Sequence, residues 1–222
     1  MKEIILDTET TGLSVKDGHR IVEIGCIELE ELIPTNKIFH FYLNPERKVS
    51  EEAFNVHGYS DEFLSDKQKF KEIADDFIEF IKDKKIIIHN AEFDIAHINN
   101  ELVIAGKEKI TKINLIDTLD IARNKFPGSA ISLDALCKRF RIDNSKREKH
   151  TALIDCELLS KVYINLIDQK EPKLNFNNLI DTKKNETNKK NTEYSKKIII
   201  PTTDEINKHK EFLKKNFKRN FF

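Results

Sequence analysis

Asp7 and Glu9 stand one threonine apart in the run Ile4-Ile5-Leu6-Asp7-Thr8-Glu9-Thr10-Thr11-Gly12-Leu13, directly behind an apolar strand. Residues i and i+2 of a β-strand project from the same face, so both carboxylates point into one small volume. They repel unless cations sit between them, and a divalent metal is the obvious cation. Two further acids stand where elements begin. Asp94 lies just past a strand terminus in His89-Asn90-Ala91-Glu92-Phe93-Asp94, and Asp155 lies early in a late helix. His150 precedes Asp155 by five residues, where the helix start leaves its ring free to hinge over a site. An imidazole with an ordinary pKa of about 6.5 suits a base acting on water.

The elements that must position these groups are legible in the apolar periodicity. Residues 3–6, 20–30 and 37–43 are rich in Ile, Val, Leu and Phe with partial alternation, and read as three strands. Phe70, Ile73, Ala74, Phe77, Ile78 and Ile81 recur at helical spacing over 69–82, and Ile86, Ile87 and Ile88 make a short buried strand. A helix over 92–105, a strand over 113–116 and helices over 117–125, 132–139 and 150–167 follow. Meandering strands that give way to alternating helices and strands predict an α/β fold, with a mixed central sheet flanked by helices.

The 222 residues carry 38 basic and 38 acidic side chains, but unevenly: residues 1–168 hold 24 basic and 31 acidic, net −7, and residues 169–222 hold 14 and 7, net +7. The asymmetry predicts two segments with different tasks. From Asp181 to Lys197 the chain is nearly all Lys, Asn, Thr, Glu and Ser, too polar to bury a core, and a flexible linker is expected over 169–197. Beyond it, Thr202 and Glu205 have capping-box spacing for a helix bearing Ile206, Phe212, Leu213 and Phe217. An isolated helix with an apolar face needs a partner. Cys26, Cys137 and Cys156 are widely spaced and free of any C-x-x-C pattern, which argues against a disulfide framework or zinc knuckle and fits a reducing cytoplasm. No stretch approaches the roughly 18 consecutive apolar residues that span a bilayer, and the start lacks the pattern of a signal peptide, so a soluble intracellular protein is expected.

Over residues 3–167 the chain resembles the DEDDh-type 3′–5′ exonucleases, on Asp7-Thr8-Glu9, Asp94, and Asp155 preceded by His150. Within that family it resembles the proofreading epsilon subunits of bacterial DNA polymerase III. The residues that carry this are Asp7-Thr8-Glu9-Thr10-Thr11-Gly12, Phe54-Asn55-Val56-His57-Gly58 with Asp61-Glu62-Phe63-Leu64, His89 to Asp94, and the appended tail. The resemblance implies a ribonuclease H-like three-layer fold over 1–168 and hydrolysis of the 3′-terminal phosphodiester of DNA with two divalent cations, Mg²⁺ or Mn²⁺. It implies that Asp7 bridges both ions, that Glu9 and Asp155 complete the first site, that Asp94 serves the second, and that His150 deprotonates the attacking water. Leu13, Val56, His57 and Phe93 match positions that flank the terminal nucleotide in similar enzymes, and Asn90 and the backbone around Thr10 are expected to orient its sugar. Lys146, Arg147 and Lys149 are expected near phosphate.

The partners implied are a single-stranded DNA 3′ end and, through the C-terminal segment 198–222, the polymerase catalytic (alpha) subunit, all in a bacterial cytoplasm. Glu171-Pro172-Lys173-Leu174-Asn175-Phe176 faintly resembles a hexapeptide that grips the sliding clamp, with Glu171 where Gln is usual. The residues alone leave two alternatives open: a related ribonuclease that trims RNA ends, and a non-catalytic adaptor between polymerase and clamp.

Overall fold

The computed structural model describes residues 2–111, 114–145, 147, 149–168 and 201–216. Its elements are β1 (Lys2–Thr10), β2 (Ile21–Glu30), β3 (Ile33–Tyr42), α1 (Glu51–His57), α2 (Asp61–Ser65), α3 (Phe70–Ile81), β4 (Lys85–Ile88), α4 (Ala91–Ile104), β5 (Leu115–Asp117), α5 (Thr118–Lys125), α6 (Leu133–Phe140), α7 (Ala152–Leu166) and α8 (Thr203–Asn216). The chain divides into two compact units, Met1–Leu174 and Asn175–Phe222. The expected linker over 169–197 and the hexapeptide at 171–176 lie outside the described residues.

The five strands lie in the order β3-β2-β1-β4-β5, antiparallel among β1, β2 and β3 and parallel from β1 through β4 to β5. Side-chain alternation along these strands builds a core on each face of the sheet. Ile4, Leu6, Ile86 and Ile88 pack with Phe70 and Phe77 of α3 and Ile95 and Ile98 of α4. Ile5 and Ile87 face the other way, against Leu136 of α6 and Leu158, Leu159 and Val162 of α7. The result is the expected three-layer, ribonuclease H-like arrangement of helices on both sides of a mixed sheet.

Three departures from the sequence-based expectation have physical causes. β1 continues to Thr10, so Asp7 and Glu9 lie within the strand, opposite Gly25 and Glu23 of β2, rather than behind it. Apolar residues stop at Leu6, but the hydrogen-bond ladder to β2 does not. On the other edge, pairing with β4 ends at Ile5–Ile87, so Asp7 stands where β1 outruns its parallel neighbour. β3 begins at Ile33 although Pro34 reads as a break, because β3 is an edge strand, where a missing N–H is tolerated. The helices α1 and α2 were not expected. At 7 and 5 residues they are too short for periodicity to reveal. Their signals are the caps: Ser50 and Ser60 accept from the amides of Ala53 and Phe63, and Gly58 closes α1 with φ 80°.

The second unit is described through α8. Its expected capping box is present, with the Glu205 amide donating to Thr202 Oγ1 at 3.3 Å and the Thr202 amide to Glu205 Oε2 at 2.8 Å. Among the described residues, no helix is long and apolar enough to cross a membrane.

Candidate active site

Alternation along β1 sends Asp7 and Glu9 toward the face covered by α7, while Thr8 points to α4. Thr8 uses both its donors on one acceptor: its amide and its hydroxyl donate to Asp94 Oδ1 at 3.0 and 2.7 Å. Asp94, in the first turn of α4, is thereby pulled to the sheet from one side. Asp155, in the first turn of α7, arrives from the other. Two contacts seat that helix start. Glu23 Oε2 accepts from the Ala152 amide at 2.9 Å, and Gly25 leaves the room, since a Cβ there would come within 2.8 Å of the Ala152 carbonyl carbon. Glu23 is fully buried and also accepts from Tyr59 Oη at 2.8 Å and bonds His40 Nε2 at 2.7 Å.

Glu9, His150 and Asp155 each present a ligand atom within 4.8 Å of the others. Asp7 feels the charges of the neighbouring acids. Burial, then Asp94, Asp155 and Glu9, hold its carboxyl well above the ordinary range. Burial and then Asp155 push Glu9 up to about 8. Burial likewise lifts Asp94 to about 7, against the opposing pull of the Thr8 hydrogen bonds. Such shifts mark negative charge crowded into a site with too little positive charge to balance it. Hard carboxylate oxygens, with one imidazole at the rim, fit a small divalent cation.

His150 lies two residues before α7, and its side chain is 45% exposed. Its amide donates to the Val56 carbonyl at 3.3 Å, and Lys149 Nζ donates to the Asn55 carbonyl at 2.8 Å, which ties this segment to α1. Burial and the nearby Arg147 charge hold the His150 pKa below its ordinary value. Arg147 does not reach outward as expected. Its side chain is 7% exposed, and its Nε and one terminal nitrogen donate to Asp155 Oδ1 and Oδ2 at 2.6 and 2.7 Å. Lys146 lies outside the described residues.

Thr10, Leu13, Val56, His57 and Phe93 line one cavity of ≈ 550 Å³ that also reaches Glu9. Leu13 stands 84% exposed at its rim, while His57 is 3% exposed and stacks on Tyr59. Asn90 is not among them. It lines a separate groove with Glu92 and Asp117, and its amide donates to Asp117 Oδ1 at 3.1 Å. Asp117 also accepts from the Ala91 and Leu119 amides, at 3.0 and 2.8 Å, so one carboxylate joins the starts of α4 and α5.

Glu23, Thr8 and Asp117 support this site, as does Asp134, which accepts from Arg147 at 2.6 Å, and none of the four stood out in the sequence. Glu23 left one signal, an acid inside the apolar run Ile21-Val22-Glu23-Ile24. The others act through contacts that no local pattern announces.

Residues 4–163 match the family model for exonucleases (RNase_T). The chain is 50% identical over 219 residues to the DNA polymerase III subunit epsilon of Rickettsia felis, covering 96% of each chain. It is 47% identical over 171 residues to the protein of that name from Escherichia coli, covering 73% of this chain and 70% of the relative. Among solved structures, the nuclease domain of 3′hExo, a DEDDh family member bound to rAMP, aligns with a TM-score of 0.66 at 16% identity over 76% of this chain and 92% of that one. Exonuclease X in complex with 5′ overhanging duplex DNA aligns with a TM-score of 0.59 at 24% identity, over 75% and 92%. At those identities the structural likenesses speak for the fold, and the closer sequence relatives speak for kinship. The chain belongs to the exonuclease family, as a 3′–5′ DNA exonuclease of the DNA polymerase III epsilon subunit type.

Proposed function

We propose that this chain proofreads for a replicative DNA polymerase, hydrolysing the 3′-terminal phosphodiester of DNA with two divalent cations and a histidine base. The observation that carries the reading is the convergence of Asp7, Glu9, Asp94 and Asp155 from both faces of the sheet, with His150 beside them. Asp7, Glu9 and Asp155 would hold one Mg²⁺ or Mn²⁺, and Asp7 with Asp94 a second. Such ions, when bound, supply the positive charge that offsets the attacking and leaving oxygens of phosphodiester hydrolysis.

The remaining steps belong to the chain. His150, with its pKa held below the ordinary value, is a neutral ring at pH 7, and its exposed part meets solvent, as a base for the attacking water must. Thr10, Leu13, Val56, His57 and Phe93 receive the terminal nucleotide; apolar and aromatic surfaces stack on any base, which suits an enzyme that removes whichever nucleotide was misplaced. The net −7 of residues 1–168 opposes binding of a polyanion, and bound cations would offset that at the site. The relatives' name brings a polymerase into the reading. The segment 198–222 is assigned to its catalytic (alpha) subunit, and residues 171–176 to the sliding clamp.

The test uses 5′-labelled single-stranded DNA and RNA of one sequence, Mg²⁺, and the wild-type and His150→Ala chains. A ladder shortening from the 3′ end of DNA, slowed about 10²–10⁴-fold in the variant, is expected. A ladder on RNA alone would move the substrate to RNA ends. None on either would leave a polymerase–clamp adaptor.

A further inference from the structure

The acid cluster carries a cation of its own, and that cation is already bonded to two of the groups the reaction needs. Arg147 Nε and one terminal nitrogen engage both oxygens of Asp155. The same terminal nitrogen lies 2.8 Å from His150 Nδ1, and the other donates to Asp134 Oδ2 at 2.6 Å. A guanidinium has donors and no acceptor, so His150 Nδ1 must be the acceptor here and its lone pair is occupied. Four bonds use most of the five N–H donors, which leaves little with which to hold a phosphate.

The bidentate grip on Asp155 covers the oxygens a divalent cation would ligate, and a guanidinium beside such a cation repels it. Asp134 offers the other end of the same fork a carboxylate that is 54% exposed and therefore free to follow it. Asn144 Nδ2 steadies Asp134 Oδ1 at 2.9 Å.

We propose that Arg147 is a positioning residue that competes with the divalent cation for Asp155, occupies the lone pair of His150 while it does so, and is taken over by Asp134 when the cation binds. The base is thereby coupled to cation loading: the ring's lone pair is released by the same displacement that frees Asp155. This rests on the assignment of Asp155 as a metal ligand, and the experiment separates the two.

Free Mn²⁺ is followed by its electron paramagnetic resonance signal as it is titrated into the full chain without nucleic acid, for wild type, Arg147→Gln, Asp134→Asn and Asp155→Asn. Melting in EDTA identifies the folded variants. Removing the rival cation is expected to tighten Mn²⁺ binding about tenfold in Arg147→Gln, the scale of one hydrogen bond to a charged group. Asp134→Asn, which leaves Arg147 no second carboxylate, is expected to weaken it. A merely structural role would weaken both. If Arg147→Gln does not fold, Arg147→Lys takes its place, since a single ammonium cannot hold both Asp155 oxygens and His150 at once, and the same tightening is expected of it. Mn²⁺ affinity unchanged or lowered in Arg147→Gln, or unchanged in Asp134→Asn, would overturn the competition while Asp155→Asn still loses binding. Wild-type binding by Asp155→Asn would remove the metal site itself and the competition with it.

Discussion

Burial and mutual repulsion penalise the charged forms of Asp7, Glu9 and Asp94, so all three hold their protons more tightly than free carboxylic acids do. The folded chain therefore binds more protons than the unfolded one between the ordinary carboxylate range and about 8, the value to which Glu9 is pushed. Stability from this source is lost as pH rises through that window. Buried His57 and His97 and half-buried His89 act with the opposite sign, but only as pH falls below their ordinary 6.5, since loss of solvent lowers their pKa values. Melting temperature in EDTA should thus fall between pH 6.5 and about 8, and saturating Mn²⁺ should abolish the fall. A rise across that window in EDTA would contradict the assignment. The acids and His150 were legible because each sits in a short local pattern. Thr8 bonding Asp94, across 86 residues, and Glu23 bonding Ala152, across 129, were not.

The elements divide in the same way. Long strands and helices declare themselves by period, as β1 and α3 do, and the sheet follows from them. α1 and α2 were missed, though α1 carries Val56 and His57, because they are only one to two turns long and are held by caps and by the bond from Ser50 N–H to the Thr11 carbonyl. What sets α7, and with it Asp155, is invisible locally: a glycine and a glutamate on β2. Gly25→Ala should destabilise the chain by about 1–3 kcal/mol in chemical denaturation, as overpacking does, because its methyl meets the backbone of Ala152 and Leu153. It should also slow cleavage by displacing Asp155. Glu23→Gln keeps the shape and weakens the bonds to Tyr59, Ala152 and His40, with an expected loss of about 1–3 kcal/mol. Unchanged denaturation midpoints in both variants would show that β2 does not anchor the helix.

Across the whole molecule, charge is divided between net −7 over residues 1–168 and net +7 over residues 169–222, in keeping with the proposed division of tasks between nuclease and polymerase-binding segment. α8, taken by itself, leaves Ile206 39% and Phe212 59% exposed. Replacing both with Glu should weaken binding to the polymerase catalytic subunit at least tenfold, in a calorimetric titration, if the pair supplies about 1.4 kcal/mol or more of the contact. Cleavage of a free oligonucleotide should be untouched; equal binding by the variant would remove α8 from that interface. The proposed role of the β1 carboxylates is to hold the cations by which 3′ ends are cut. It is tested most directly by incubating 5′-labelled DNA and Mg²⁺ with the wild-type chain and with Asp7→Ala. A 3′-shortening ladder that EDTA abolishes is expected from the wild type, and no ladder from a variant that melts in EDTA no lower than the wild type. A ladder of normal rate from folded Asp7→Ala, or one that persists in EDTA, would contradict it.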